Sequence, residues 1–537
     1  MYARISFSLA ILIFHFIPIL SQLRVNDVFI ERLNVFDSTS TDWFFAAKLA
    51  NSLHFLTREY VIKDELLFSK GDVIDESILL ETEKNLRSLN LFSKVEISLD
   101  SLDPLTCDVY VLTKDRWSTN PSLLFGTGGE AFRLGFRIEE LNFLGTGTTI
   151  VPEVLYRSEN DTKLQLRFKL YQRRLIRSNF SFNYNFFINR FRTLHNLAFW
   201  KPYFSRNSVN SYGISFVNNF GNDLLFTGNG RYQKMNFYEK GAELWYSHSW
   251  FKEDKLFITG LVDIRKVIRG APEFIRAFDN SGKVFVAFSS ISEHFFKSEK
   301  LNTFLTEDVV VGGWGSAILG RTFRIDTNGT DAFYLAGIGE KSYLSPDARL
   351  YLFARLAGGS AFANSIGFNT YQEFWWLMFY RFSNNFLFAT QVKQQTVWNW
   401  RGVRQFLLDD KHYIRGYTLN ELTGDNRLIA NAEFRFFPNF KFWIFQFSGV
   451  VFYDGGTVWN QNVELIKARW HNSAGFGIRI HNDKTAGKLG IVRIDFAYNF
   501  DRKKFAEIII SSDQFFSIFK SHQFELPETL GEEFEYE

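Results

Sequence analysis

Three residues, Arg415, Gly416 and Tyr417 in the run Ile414-Arg415-Gly416-Tyr417, combine types that could do specific chemistry. A guanidinium presents several donors in a planar fork and can bridge two carboxylates at once. Glycine admits the close approach or positive φ of a sharp loop tip, and the tyrosine beside it can wedge against a wall. The chemistry on offer is charge pairing rather than covalent catalysis. Two carboxylates stand downstream as partners: Glu433, in Glu433-Phe434-Arg435-Phe436, and Asp454, in Phe452-Tyr453-Asp454-Gly455. A tripeptide recurs by chance, and Val267-Ile268-Arg269-Gly270 repeats Ile-Arg-Gly without the tyrosine. Context must separate the two.

Little else suggests an active site. The nine histidines fall in no metal-ligand spacing, and no Gly-x-Ser-x-Gly elbow is present to support a serine nucleophile. The sequence therefore predicts no enzyme, no metal and no cofactor. One cysteine, Cys107, cannot form an intrachain disulfide. A net charge of +3 leaves no basic footprint for nucleic acid.

The elements that must position these residues read as strands. Aromatic residues make up 18% of the 537, among them 63 phenylalanines, yet 22% are charged and the mean hydropathy is −0.12. That balance excludes a bundle of membrane helices and fits a transmembrane β-barrel, whose strands turn apolar residues to lipid and polar residues to a wet lumen. Phe132, Leu134, Phe136 and Ile138 alternate with Arg133, Gly135, Arg137 and Glu139, and Val492, Ile494, Phe496 and Tyr498 alternate with Arg493, Asp495, Ala497 and Asn499. The pattern runs from 116 to 516 with only nine prolines in the whole chain, more than a soluble sandwich sustains. Five strands are predicted after Tyr417, near 427–437, 442–453, 473–481, 488–499 and 506–516, and between eleven and sixteen candidate segments precede it. The least regular stretch, 265–345, is read as long extracellular loops. On the strand after the arginine, Glu433 and Arg435 share a face opposite Phe434 and Phe436, which turns Glu433 into the lumen, where a buried arginine needs it.

The ends differ. Residues 1–21 pair a basic start with an apolar run to Leu20, the pattern of a signal peptide. Residues 25–114 read β-α-α-β-β, with Asp75 placed to cap the second helix. Residues 517–537, with six glutamates in the last fourteen, read as a solvated, disordered acidic tail on the periplasmic side.

The order of motifs resembles the outer-membrane insertase and two-partner-secretion superfamily (BamA/TamA/FhaC-like, the bacterial surface antigen family). Val61-Ile62-Lys63-Asp64-Glu65-Leu66 and Leu91-Phe92-Ser93-Lys94-Val95 look like a single POTRA (polypeptide-transport-associated) domain over 25–114. Ile414-Arg415-Gly416-Tyr417 resembles the family's Val/Ile-Arg-Gly-Phe/Tyr motif, and Phe452-Tyr453-Asp454-Gly455-Gly456 its Phe-x-Asp-x-Gly strand. The resemblance implies a mainly β chain: an α/β POTRA domain, then a transmembrane antiparallel β-barrel over 116–516, with 16 strands. It implies a sixth extracellular loop folded into the lumen, whose Arg415 pairs with Glu433 and Asp454, and first and last strands that close weakly. The expected function is insertion or translocation of unfolded client polypeptides at the outer membrane, the N-terminal domain standing in the periplasm and receiving the client. Its partners would be the lipid bilayer, clients, and periplasmic chaperones or lipoproteins. A passive channel or solute-uptake porin is the alternative, though it needs neither a soluble N-terminal domain nor a pinned arginine loop.

Overall fold

The computed structural model describes residues 23–35, 51–52, 54–204, 208–251, 254–299, 301, 306–438, 440–442, 445–482, 491–506, 508–512, 514–519 and 524–535. The expected signal peptide, 1–21, lies outside them. Two units emerge, one reaching to Trp117 and including Leu144–Thr146, the other holding Ser118–Phe143 and everything from Gly147 onward.

The first unit is built on a four-stranded sheet. Its strands are β1 (Leu23–Leu33), β2 (Val73–Ile74), β3 (Phe92–Ser101) and β4 (Thr106–Asp115), in the order β2-β1-β4-β3. β1 runs parallel to β4, and the other pairings are antiparallel. Helix α1 (Glu59–Lys63) is barely one turn, while α2 (Glu76–Ser88) spans 13 residues and begins where Asp75 accepts the Ile78 N–H at 2.9 Å. Val25, Ile62, Leu86, Val109 and Val111 form the dry side of the sheet. This corrects the expected POTRA fold: the described unit is a four-stranded sheet with one full helix, not a clear α/β POTRA module. The extra strand, Val73-Ile74, is two residues long between a Gly71-Asp72 turn and a helix cap, too short to show a period in the sequence.

The second unit is a closed antiparallel barrel, and its strand count is also corrected. Among the described residues twenty strands close it, not sixteen, with Lys441–Phe442 and Lys504–Phe505 as short additional pieces. The five strands after Tyr417 are Asn426–Phe436, Phe445–Trp459, His471–Asn482, Ile491–Asn499 and Ile509–Ser512. Fifteen precede it, within the range of segments legible in the sequence; the number sixteen came from the family resemblance alone. The stretch read as long loops holds three whole strands, Ser281–Glu299, Thr306–Arg324 and Ala332–Leu344. Their inward positions are apolar as well as their outward ones: Tyr334, Ala336 and Ile338 are buried while Phe333 and Leu335 are exposed. With both faces apolar, the period-2 contrast disappears from the sequence.

What dries those inward faces is the chain itself. Tyr334, Phe285, Trp314 and Ile338 belong to one buried cluster that includes Leu530, with Phe524 and Leu526 packed against it. The acidic segment expected to be solvated and disordered therefore runs inside the barrel over 524–535. Its glutamates meet lumen cations there, Glu532 with Lys283 and Glu535 with Arg427. A composition-based reading sees the charges of the segment but not the opposite charges that receive them.

Among the described residues the first barrel strand, Thr119–Gly128, meets the last, Ile509–Ser512, at a single ladder position, Ile510 opposite Thr127. By contrast, Ser281–Glu299 and Thr306–Arg324 pair along all 19 residues. The barrel is closed at this seam by far less backbone pairing.

Candidate functional site: an arginine loop inside the barrel

Between strands Phe386–Trp398 and Asn426–Phe436 the chain leaves the wall and folds a loop into the interior. A small hairpin, Phe406–Leu408 paired with Leu422–Gly424, ties its two limbs together. Asp409 turns the tip by accepting the backbone N–H groups of Lys411 and His412 (2.9 Å each) and of Asn420 (2.8 Å). Ile414, Arg415 and Tyr417 are at most 1% exposed, so the tip sits in a desolvated place.

Arg415 occupies the centre. Its Nε donates to Asp454 Oδ2 at 2.7 Å and its Nη2 to Asp454 Oδ1 at 2.9 Å, a bidentate pair. Its Nη1 donates to Glu433 Oε1 at 2.8 Å and reaches Asp495 Oδ2 at 3.4 Å. The flat faces of the guanidinium lie 3.5 Å from the Phe452 ring centroid and 4.0 Å from that of Phe515. Planar charge, fork geometry and stacking are used together, which a lysine could not reproduce. Burial pulls the Arg415 pKa down, but the carboxylates of Asp454 and Glu433 more than reverse that, so the side chain stays charged.

The strands place the partners. Glu433, Arg435 and Asn431 alternate inward along Asn426–Phe436, and Asn431 lies opposite Asp454 on the next strand. Asn431 Nδ2 donates to Asp454 Oδ1 at 2.9 Å and to the Tyr413 carbonyl at 2.8 Å. Arg435 Nε holds the other oxygen of Glu433 at 2.8 Å, and Arg479 pairs with Asp495. The cluster is thus a chain of alternating charges, not a lone pair.

Gly416 has φ +85, the left-handed region, and a Cβ there would come within 3.0 Å of the Ala497 Cβ. Its carbonyl accepts from Asn499 Nδ2 at 3.0 Å and its N–H donates to Asp410 Oδ1 at 3.2 Å. Burial pushes the Asp410 carboxyl up to about 7, against the pull of Arg493. The Tyr417 hydroxyl stands 3.0 Å from Asp501 Oδ2 and accepts the Asn472 N–H at 3.1 Å, with the ring edge-on to His471.

Arg269, the arginine of the second Ile-Arg-Gly, is also ion-paired, to Asp279 and Asp223. It ends a wall strand, Lys255–Arg269, and no re-entrant loop carries it. Position, not the presence of carboxylates, separates the two motifs.

The match with known families falls on this part of the chain. Residues 347–524 match the Omp85 superfamily domain. Among solved structures it is similar to BamA from Haemophilus ducreyi lacking POTRA domains 1–3, at 13% identity and a TM-score of 0.42, covering 90% of this chain and 84% of that one. CdiB from Acinetobacter baumannii is similar at 12% identity and 0.44, with 91% and 73% covered. CdiB from Escherichia coli is similar at 10% identity and 0.42, with 91% and 76% covered. No curated protein matches the chain.

The barrel thus brings Arg415, Glu433 and Asp454 together, with Gly416 and Tyr417 on the same tip. Sequence reasoning missed the third carboxylate, Asp495, although its alternation with Ile494 and Phe496 already turned it inward. It missed both stacking rings as well. Phe515 lies beyond the last strand, where no period could mark it.

Proposed function

We propose that this protein assists the insertion or translocation of client polypeptides at the outer membrane, with its N-terminal sheet unit on the periplasmic side. The observation that carries the reading is the seam. Among the described residues a last strand of four residues meets the first at one ladder position, so along Asn120–Gly126 they show no ladder pairing on that side. An unpaired strand edge is a template for another strand, and an extended client segment can add there by main-chain hydrogen bonding. The flanking strands β2 and β3 of the N-terminal sheet offer the same mode of capture for a client before it reaches the wall. The Arg415 cluster fits the role of a fixed point: it holds the loop against Glu433, Asp454 and Asp495, next to the strands that end at the seam.

A passive channel has less support, because both the arginine loop and segment 524–535 occupy the interior. Depletion of the protein followed by quantitative proteomics of outer-membrane and secreted fractions tests the proposal. A broad loss of barrel proteins supports a general insertase, and loss of one or two species a dedicated transporter. Unchanged fractions with reduced small-solute uptake would replace it with the channel.

A further inference from the structure

The segment 524–535, Phe-Glu-Leu-Pro-Glu-Thr-Leu-Gly-Glu-Glu-Phe-Glu, is held in the lumen by contacts that follow one another along its length. The Phe524 ring packs among Trp245, Phe257 and Trp314, with the Phe257 centroid 5.1 Å away. Lys283 Nζ then donates to Thr529 Oγ1 at 2.6 Å and to Glu532 Oε1 at 2.7 Å. The Leu530 N–H donates to the Tyr334 hydroxyl at 2.7 Å. Gly531, at φ +86, lies where a Cβ would come 2.8 Å from the Tyr371 ring.

The clamp tightens at Phe534-Glu535. Phe534 forms a parallel bridge with Gln405, and the Arg276 guanidinium lies 3.8 Å from its ring centroid. The Glu535 N–H donates to the Gln405 carbonyl at 3.0 Å, and Gln405 Nε2 donates back to the Glu535 carbonyl at 2.6 Å. Its carboxylate takes Arg427 Nη1 at 2.8 Å, Arg427 Nη2 at 3.0 Å and the Leu407 N–H at 2.9 Å. A main-chain hydrogen bond returned by a side-chain amide, an aromatic seat and a bidentate carboxylate clamp are the means by which proteins recognise an extended peptide. The re-entrant loop also brings a cation to the site that the segment does not hydrogen-bond. Arg404 is 5% exposed, and its Nη1 and Nη2 have no hydrogen-bond partner among the described residues. A cavity of about 650 Å³ lies between the segment and the wall, so the neighbourhood is not packed solid.

We propose that the lumen surface formed by the wall residues Lys283, Tyr334 and Arg427 together with Gln405 of the re-entrant loop is a receiving site for an extended acidic peptide in which an aromatic residue precedes a glutamate, and that segment 524–535 occupies it in cis as a displaceable plug. The inference stands apart from the insertion-or-translocation reading, since it concerns what the interior binds and not what is delivered at the seam. An intramolecular occupant lowers the apparent affinity for a competing peptide by the fraction of time the site is free. Weakening the occupant without touching the wall therefore raises that affinity.

The test uses the full chain in lipid and a fluorescent peptide of sequence FELPETLGEEFE, read by anisotropy. The variant carries Glu532→Gln, Phe534→Ala and Glu535→Gln, all on the segment, so every barrel strand is unchanged; heat-modifiable mobility reports its folding, and Phe534→Ala with Glu535→Gln serves if the triple variant misfolds. The expected result is binding to the variant at least about tenfold tighter than to the unmodified chain. Adding Arg427→Gln to the folded variant is expected to remove that binding, and a scrambled peptide of the same composition is expected not to bind. Equal affinity for both chains, no binding to the folded variant, or equal binding of the scrambled peptide would each overturn the proposal. Client delivery enters none of these readouts, so the site stands or falls independently of the proposed function.

Discussion

Replacing Arg415 with alanine removes the one group that holds three buried carboxylates to the loop. The local charges determine the cost. Glu433 keeps Arg435, and Asp495 keeps Arg479 and Arg493, after the substitution. Among the described residues Asp454 keeps the Asn431 amide and the backbone N–H of residue 415 itself. It is 0% exposed and would carry its charge without a cation. Breaking a buried ion pair from one side costs about 3–5 kcal/mol. At about 1.4 kcal/mol per decade, the population of the released loop rises by roughly two to four decades. Trypsin cleavage after Lys411 reads that population in the folded barrel, because cleavage follows the open fraction when the loop recloses quickly. Arg415→Ala is expected to accelerate cleavage by that factor. Arg415→Ala with Asp454→Asn is expected to recover part of the loss, because the orphaned charge is gone. Cleavage within tenfold of the unmodified chain would refute the reasoning, and so would a double variant no better than the single one.

Other outcomes follow from the same geometry. Arg415→Lys keeps the charge but loses the fork and the stacking on Phe452 and Phe515, so its cleavage rate is expected to fall between those of the unmodified chain and Arg415→Ala. Gly416→Val places a β-branched residue at φ +85 and against Ala497, a cost of about 1–3 kcal/mol, measurable as faster cleavage with the charge cluster intact. Asp410 has a carboxyl raised by burial from 3.8 to about 7, so in the docked loop it holds its proton longer than in the released loop. Its contribution is whole below about pH 4 and is lost as the pH rises through 7. Arg493 opposes the rise, while Asp409 and Asp495 add to it. The cleavage rate of the unmodified chain relative to Asp410→Asn is expected to climb between pH 5 and 8; a flat ratio would remove Asp410 from the docking equilibrium.

The sequence was most legible where one face of a strand is wet. Glu433 and Asp454 could be named because lipid-facing Phe434 and Val451 contrast with charged or polar inward neighbours, and the five strands after the loop showed the same contrast. It was least legible where the lumen is dry. Ala332–Leu344 turns Tyr334, Ala336 and Ile338 inward against Leu530, so a wall strand read as a loop, and the expected sixteen strands gave way to twenty. The two errors have one cause. Segment 524–535 was taken for a solvated tail, and the strands it covers lost their polar face for the same reason. The N-terminal sheet was misread on a smaller scale, through a strand of two residues.

The seam is the centre of the account, and a disulfide across it tests the account most directly. Thr127→Cys with Ile510→Cys joins the first and last strands at the one ladder position the described residues show, and the native Cys107 is buried. In cells depleted of the native protein, the tethered variant is expected to fold with normal heat-modifiable mobility and yet fail to restore the lost outer-membrane or secreted proteins. Reduction of the disulfide is expected to restore them. Full complementation by the oxidised, tethered barrel would contradict the proposal that clients add at the open edge.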